Sequence, residues 1–206
     1  MCGRYYVDDD TAREIEKLVR QVDEKMRQTS AAGIHLQAKD IHPSEIAPVI
    51  AAGDSGLCCR WQRWGFPGFS GKQLIFNARS ESALEKRTFR ESVEHRRIVV
   101  PATWFYEWNK NKEKNIFYRQ VQPVLYMAGI YNRYQDEDRF VILTTAANDS
   151  MKPVHDRMPL VLERDEIHKW LNEDHLVEDF LQKTPALLER RAEYEQMNLF
   201  SGDNSK

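Results

Sequence analysis

The chain has 206 residues, 41% of them hydrophobic and 30% charged, with a net charge of −2 and a pI of about 6.3. These values suit a globular domain with a sizeable core and exclude a strongly basic field over the whole molecule, so any nucleic-acid contact must come from a local cluster. No apolar run approaches the ~20 residues that cross a bilayer, and the opening MCGRYYVDDD lacks the apolar stretch of a secretory signal, so a cytoplasmic protein with no membrane partner is expected.

Apolar residues at Ala12, Ile15, Leu18, Val19, Val22 and Met26 fall at helical spacing and predict a helix over 11–28, opened by a Thr11/Glu14 capping box. A loop carrying Pro43 and Pro48 follows. Residues 57–64 read as a strand, broken by Gly65-Phe66-Pro67-Gly68, and Leu74-Ile75-Phe76 is a short apolar run ending at Asn77. A helix is predicted over about 81–94, then strands near 97–102 and 104–108, a polar turn over 109–114, and strands near 116–121, 124–131 and 139–145. The last third predicts helices near 165–172, 174–183 and 185–195, the last opened by Thr184-Pro185; residues 201–206 read as a flexible polar tail. The expected fold class is α+β. A single domain over 1–206 would place mixed or antiparallel β-structure at its centre, helices around it, and a helical C-terminal extension over 173–200.

Several chemistries have no support. No GxGxxG, Walker A or GxSxG motif occurs. The six histidines form no metal-ligand spacing, and adjacent Cys58 and Cys59 are not a ligand pair either. No metal and no cofactor are expected. Three cysteines is an odd number, which argues against a disulfide framework, and Cys58 and Cys59 read as packing residues. The basic stretches Lys86-Arg87-Thr88-Phe89-Arg90 and Arg96-Arg97 are interleaved with Glu85, Glu91 and Glu94, so on charge alone they read as a solvated helix face.

Cys2 is different. Removal of Met1 would leave a terminal aminothiol, whose amine (reference pKa about 7.7–8.0) and thiol (about 8.5) are both partly nucleophilic near neutral pH. An aldehyde condenses with such an amine to an imine, and the neighbouring thiol closes a five-membered thiazolidine at high effective concentration. A position-2 cysteine taken alone is more readily incidental. Three further segments stand with Met1-Cys2-Gly3-Arg4: Phe76-Asn77-Ala78-Arg79-Ser80-Glu81, Trp104-Phe105-Tyr106-Glu107-Trp108 and His155-Asp156-Arg157-Met158-Pro159.

Together these four segments resemble the SRAP family, the SOS-response-associated peptidases, with the likeness clearest over residues 1–172. The resemblance implies a protein that senses abasic sites in single-stranded DNA and links to them covalently through Cys2. It implies catalytic roles for Cys2, Asn77, Glu107 and His155: the nucleophile, an amide that fixes its approach, an acid–base group that opens the sugar, and a proton carrier at the imine. It implies DNA contacts at Arg4, Arg79, Arg87 and Arg157, where guanidinium suits phosphate, at loop Pro43, and at Phe69 as an aromatic wedge. The chain departs from the family pattern at Asp40-Ile41-His42-Pro43, where Asn-x-Ala-Pro is usual. Reversal of the link, lyase activity and (auto)peptidase activity are also implied. The expected partner is abasic single-stranded DNA, with replication-fork proteins alongside, and the expected state is a monomer. Two other readings remain open: a cysteine peptidase using Cys2, His155 and Glu107, and a non-covalent reader of modified bases.

Overall fold

The computed structural model describes residues 2–20, 38–54, 56–68 and 73–192. Its strands are β1 (Tyr5–Val7), β2 (Lys39–Ile41), β3 (Ile46–Gly53), β4 (Gly56–Trp64), β5 (Phe66–Pro67), β6 (Leu74–Ile75), β7 (Asn77–Arg79), β8 (Arg97–Ala102), β9 (Trp104–Trp108), β10 (Lys114–Tyr118), β11 (Leu125–Tyr134), β12 (Glu137–Ala146), β13 (Arg157–Pro159), β14 (Val161–Leu162) and β15 (Glu189–Ala192). Its helices are α1 (Asp9–Arg20), α2 (Arg90–His95), α3 (Ile167–Asn172) and α4 (Val177–Leu181).

Alternation along the long strands buries both of their faces. Val49, Ala51, Ile98, Val100, Met127, Phe140 and Ile142 pack with Tyr5, Val7, Ile41, Phe105 and Phe117. Their neighbours Ile50, Val99, Ala128, Ile130, Val141 and Leu143 pack with Ile15 and Leu18 of α1 and with Trp170 and Phe180 of α3 and α4. The pairings β4–β3, β3–β8, β8–β11, β11–β12 and β12–β4 close a ring of five strands, with β7 and β13 added on β12 and β14 on β11. A second sheet, in the order β15-β10-β9-β1-β2, is antiparallel throughout. The result is the α+β architecture that the sequence predicts, with a closed sheet at its centre.

Four local expectations change. Helix α1 begins at Asp9, not at Thr11, because Asp8 is the capping residue: its Oδ1 accepts the Thr11 N–H at 3.0 Å and its carbonyl accepts the Ala12 N–H at 3.1 Å. Thr11 is instead buried against Thr103, Oγ1 to Oγ1 at 2.8 Å. The part of this predicted helix beyond Arg20 lies outside the described residues. The Pro48 loop is the strand β3: Pro48 faces Trp61 of β4, while β8 pairs with β3 at Ile50 and Ala51, so the missing N–H costs no bond to β8. The helix over 81–94 is a 3-10 turn at Ser80–Ser82, further turns, and then the short α2. The Arg90 side chain caps the Leu84 carbonyl at 2.6 Å, where a continuous helix would need the backbone.

The helix over 185–195 is overturned most fully. Asn148 Nδ2 donates to the carbonyls of Pro185 and Ala186, each at 3.0 Å, and Ser150 Oγ accepts the Leu188 N–H at 3.1 Å. Those groups are therefore not available to a first helical turn. The chain then runs as β15 beside β10 and covers what would be an open sheet edge. Helix-favouring composition loses here to tertiary hydrogen bonds. Residues 193–206, including the predicted tail, and Phe69 lie outside the described residues.

One buried cation ties the helices to the ring. Arg97 Nε donates to the Trp170 carbonyl at 2.6 Å and Nη1 to those of Val93 and Glu94 at 3.0 and 2.7 Å, while Nη2 reaches Asp174 at 2.5 Å. It thus satisfies carbonyls near the ends of α2 and α3, those of Val93 and Trp170 in buried bonds. Arg97→Met should lower unfolding stability by about 2–3 kcal/mol, the usual cost of stranding buried acceptors. Asp174→Asn, at an 80% exposed partner, should leave the denaturation midpoint near that of the parent. Equal losses in the two variants would show that the ion pair, not the capping, is what matters.

Candidate active site

The site starts from β1. This strand pairs with β9 through Tyr5–Phe105 and Tyr6–Trp104, and the Arg4 carbonyl extends the pairing by accepting the Tyr106 N–H at 3.0 Å. Cys2 therefore lies beside the far end of β9, where Glu107 sits. Alternation on β9 sends Phe105 and Glu107 inward, both buried, while Trp104 and Trp108 reach the other face. Phe105 stacks on Phe117 of β10 at 5.3 Å between centroids, and Asn115 stands opposite Glu107. Glu107 Oε1 also accepts the Trp108 N–H at 3.3 Å.

Asn77 arrives from the ring. β7 runs parallel to β12, with Asn77 opposite Ile142. The Phe76 carbonyl before it accepts the Trp64 indole N–H at 2.8 Å and the Ile142 N–H at 3.2 Å. So anchored, Asn77 donates from Nδ2 to the Cys2 carbonyl at 2.9 Å. A carbonyl needs a donor, which fixes the orientation of the amide. Oδ1 is then a buried acceptor with no hydrogen-bond partner among the described residues.

Cys2 itself is 1% exposed. Its thiol donates to the Arg4 carbonyl at 3.7 Å. Burial pushes the thiol pKa up to about 12, with the charge of Glu107 adding to the effect. The thiol is protonated at neutral pH.

His155 comes from the loop between β12 and β13, which Asn148 organises by accepting from Ser150 at its side chain and from Lys152 at its carbonyl. Flanking Val154 and Met158 pack in the same buried cluster as Cys2. His155 Nδ1 accepts the Arg157 N–H at 3.0 Å and lies 2.9 Å from Asp156 Oδ1. The two contacts suit different proton placements: Nδ1 accepts from Arg157 when it carries no proton and donates to Asp156 when it carries one. A cleft of about 510 Å³ between this loop and the Asn109–Asn111 turn is lined by His155, Lys110 and Lys152.

The expected DNA contacts divide. Arg79 and Arg87 are exposed, and Pro43 is half-buried in a tight turn with Ser44 at φ 79. Arg157 is different: it is nearly buried, grips both Glu81 oxygens at 2.5 and 2.8 Å, and donates to the Thr144 carbonyl at 2.6 Å. That arrangement makes Arg157 a strut between β13 and the turn after β7. Arg4 pairs with Asp40 and lies over the Tyr106 ring, 4.9 Å from its centroid. Sequence reading gave no role to Asp40, Glu81 or Tyr106. Two of them stood inside motifs already picked out, and Asp40 at the one departure from pattern; the missing signal was the pairing of each carboxylate with an arginine distant in sequence. Cys58 and Cys59 pack toward opposite cores as free thiols, and no group of metal-ligating side chains occurs among the described residues.

A closed ring of strands carries Asn77, which hydrogen-bonds the Cys2 carbonyl, and buried Glu107 on β9 acts electrostatically on the Cys2 thiol. The chain matches the model of the SOS response associated peptidase (SRAP) family over residues 1–199 and belongs to that family. The match runs past residue 172 and takes in β15. The chain is similar to the abasic site processing protein YoaM of Bacillus subtilis (strain 168), 28% identical over 88% of this chain and 84% of that protein. It is similar to YedK of Escherichia coli (strain K12), an abasic site processing protein, at 32% over 54% of each, and to HMCES of Xenopus tropicalis, also so named, at 31% over 67% and 48%. A solved protein from Bacteroides thetaiotaomicron shares the fold with a TM-score of 0.75 at 24% identity, covering 93% of this chain and 91% of its own. A phage-related protein from Bordetella bronchiseptica does so at 0.73 and 19%, covering 93% of each.

The raised thiol pKa has a direct readout. Alkylation of Cys2 by iodoacetamide, followed by peptide mass spectrometry, should still be rising at pH 10, because only the thiolate reacts and the thiol ionises near 12. Glu107→Gln removes a neighbouring negative charge and should speed the reaction at any fixed pH. A plateau at about pH 9, near an ordinary thiol's pKa, would contradict this electrostatic description.

Proposed function

We propose that the protein captures abasic sites in single-stranded DNA as a thiazolidine on Cys2, once Met1 has been removed. The observation that carries this is the Asn77 hydrogen bond to the Cys2 carbonyl beside buried Glu107. It fixes the residue whose amine and thiol must both reach one carbon.

The abasic sugar is mostly a closed hemiacetal. Glu107 moves a proton from its hydroxyl to the ring oxygen, which breaks the ring C–O bond and frees the aldehyde. The neutral Cys2 amine adds to that carbon, and loss of water gives the imine. Asn77 Oδ1 accepts from the amine or the sugar and holds the approach, while His155 carries protons at the imine. The sulfur then adds to the imine carbon, and its proton passes to the imine nitrogen. Aldehyde plus aminothiol thus becomes thiazolidine plus one water. The high thiol pKa suits this order: the amine attacks first, and sulfur is needed only once an electrophilic imine stands beside it. The steps reverse through the same imine, which is also the species from which a lyase would cleave the strand. A peptidase acting through a Cys2 thiolate needs the opposite, a depressed pKa, so the buried, raised thiol supports capture over that reading.

Cys2→Ser keeps the amine and cannot close the sulfur ring. With an abasic oligonucleotide it should lose the heat-stable adduct and form only an imine that borohydride traps, together with strand nicking. A heat-stable adduct on Cys2→Ser would refute the thiazolidine. Glu107→Gln keeps size and loses proton exchange, so capture should slow by about 10²–10⁴-fold. Affinity for an undamaged strand should hold, and an oligonucleotide with a pre-opened aldehyde should recover much of the rate. Loss of undamaged-strand binding would instead make Glu107 a structural residue.

A further inference from the structure

Arg4 and Asp40 meet across the β1–β2 pair. Their side chains are 30% and 26% exposed, so the pair is open to solvent on one side. Tyr106 completes the group: its ring lies beneath the Arg4 guanidinium, and it hydrogen-bonds the Asp40 carboxylate. Burial alone would raise the carboxyl's pKa, but the bonds from Arg4 and Tyr106 hold it below its usual range, so Asp40 is charged at neutral pH. The Arg4 backbone carbonyl meanwhile accepts from the Cys2 thiol. The pair therefore sits two residues from the reacting group.

A second arginine–carboxylate pair shows what a permanent one looks like. Arg157 and Glu81 make two parallel bonds, the arginine side chain is 10% exposed, and a third bond runs to the Thr144 carbonyl. The Arg4–Asp40 bond runs to one carboxylate oxygen and is partly open to solvent, so an incoming anion can compete with Asp40 for Arg4.

We propose that Asp40 stands in for a DNA phosphate on Arg4 and so discriminates against undamaged single strands. This rests on the reading that Arg4 contacts a phosphodiester. A strand arriving at the site must displace Asp40 from Arg4 and come to rest beside its freed carboxylate. With Asp40 present the pair is neutral and releases no counterion when DNA binds; without it, Arg4 counts as a full cation. Undamaged DNA is held by such reversible contacts alone and loses them. An abasic strand is kept by the covalent bond once its aldehyde has met the Cys2 amine.

The test is binding of an undamaged oligothymidine by fluorescence anisotropy across a salt series. Asp40→Asn should bind about three- to tenfold tighter than the parent, with a log–log salt slope steeper by about 0.7, the single-strand value for one phosphate contact. Asp40→Ser should do the same, which guards against a folding or amide-specific effect in Asp40→Asn, and Asp40→Glu, which keeps the charge, should stay near the parent. In an Arg4→Gln background, Asp40→Asn should gain nothing. Parental affinity and slope in both neutral variants, or a gain that survives Arg4→Gln, would overturn the inference. Its failure is separable from failure of the capture reading, which is scored on a different substrate: Cys2-dependent adduct formation with an abasic oligonucleotide.

Discussion

The pairing of β12 is the constraint on which the site depends. Along its length this strand meets β11 through residues 137–142 and β4 through Arg139 and Phe140. It then meets β7 through Ile142–Thr144 and β13 through Thr144–Ala146. The first two contacts close the ring; the second two deliver chemistry. β7 carries Asn77, and β13 follows the loop that holds His155. A strand paired this fully has no freedom to slide, because a one-residue slip would turn Val141 and Leu143 out of one core and Phe140 and Ile142 out of the other. The register that packs the core is therefore the register that aims Asn77 at Cys2.

Much of this was legible in the sequence wherever one strand carried its own signal. Residues 57–64, 97–102, 104–108 and 139–145 alternate, or run apolar between breakers, and each forms a strand at those positions or within a residue or two. The four motifs drew attention to Cys2, Asn77, Glu107 and His155; Asn77 is hydrogen-bonded to Cys2, and Glu107 acts on its thiol electrostatically. What was not legible depends on partners far along the chain. β1, β2 and β7 are three residues each and exist because β9 and β12 offer edges. Residues 185–192 have a helical composition and are held extended by Asn148, Ser150 and β10. Local periodicity carries no trace of a bond to a residue 38 positions away. The same limit hid the roles of Asp40 and Glu81, whose meaning lies in Arg4 and Arg157.

Burying Cys2 has a chemical consequence that runs against the usual logic of reactive cysteines. Such residues usually sit near cations or helix N-termini that favour the thiolate. Here burial and a neighbouring glutamate favour the thiol. A neutral thiol resists oxidation and adventitious alkylation, and it does not compete with an amine for a first electrophile. It adds readily only to a carbon already activated, and already within a bond length or two of it. Under the capture reading, this confines sulfur chemistry to the moment when an imine exists at Cys2, so that selectivity comes from order of attack as well as from shape.

The acidic balance of the chain follows the same logic. A protein that held DNA by electrostatics alone would need many basic residues, and its affinity would fall steeply with salt. This chain has a net charge of −2, and of the arginines at family positions one is locked to Glu81 and one engaged by Asp40. Of the arginines at those positions, Arg79 and Arg87 are exposed. Weak reversible binding is a defect in a protein that must hold its target by contacts. It is an advantage in one that ends in a covalent bond, because release from intact strands is then fast and only an aldehyde converts an encounter into a complex. Under that reading, the charge that at first argued against nucleic acid is what keeps the chain from accumulating on DNA that needs no repair.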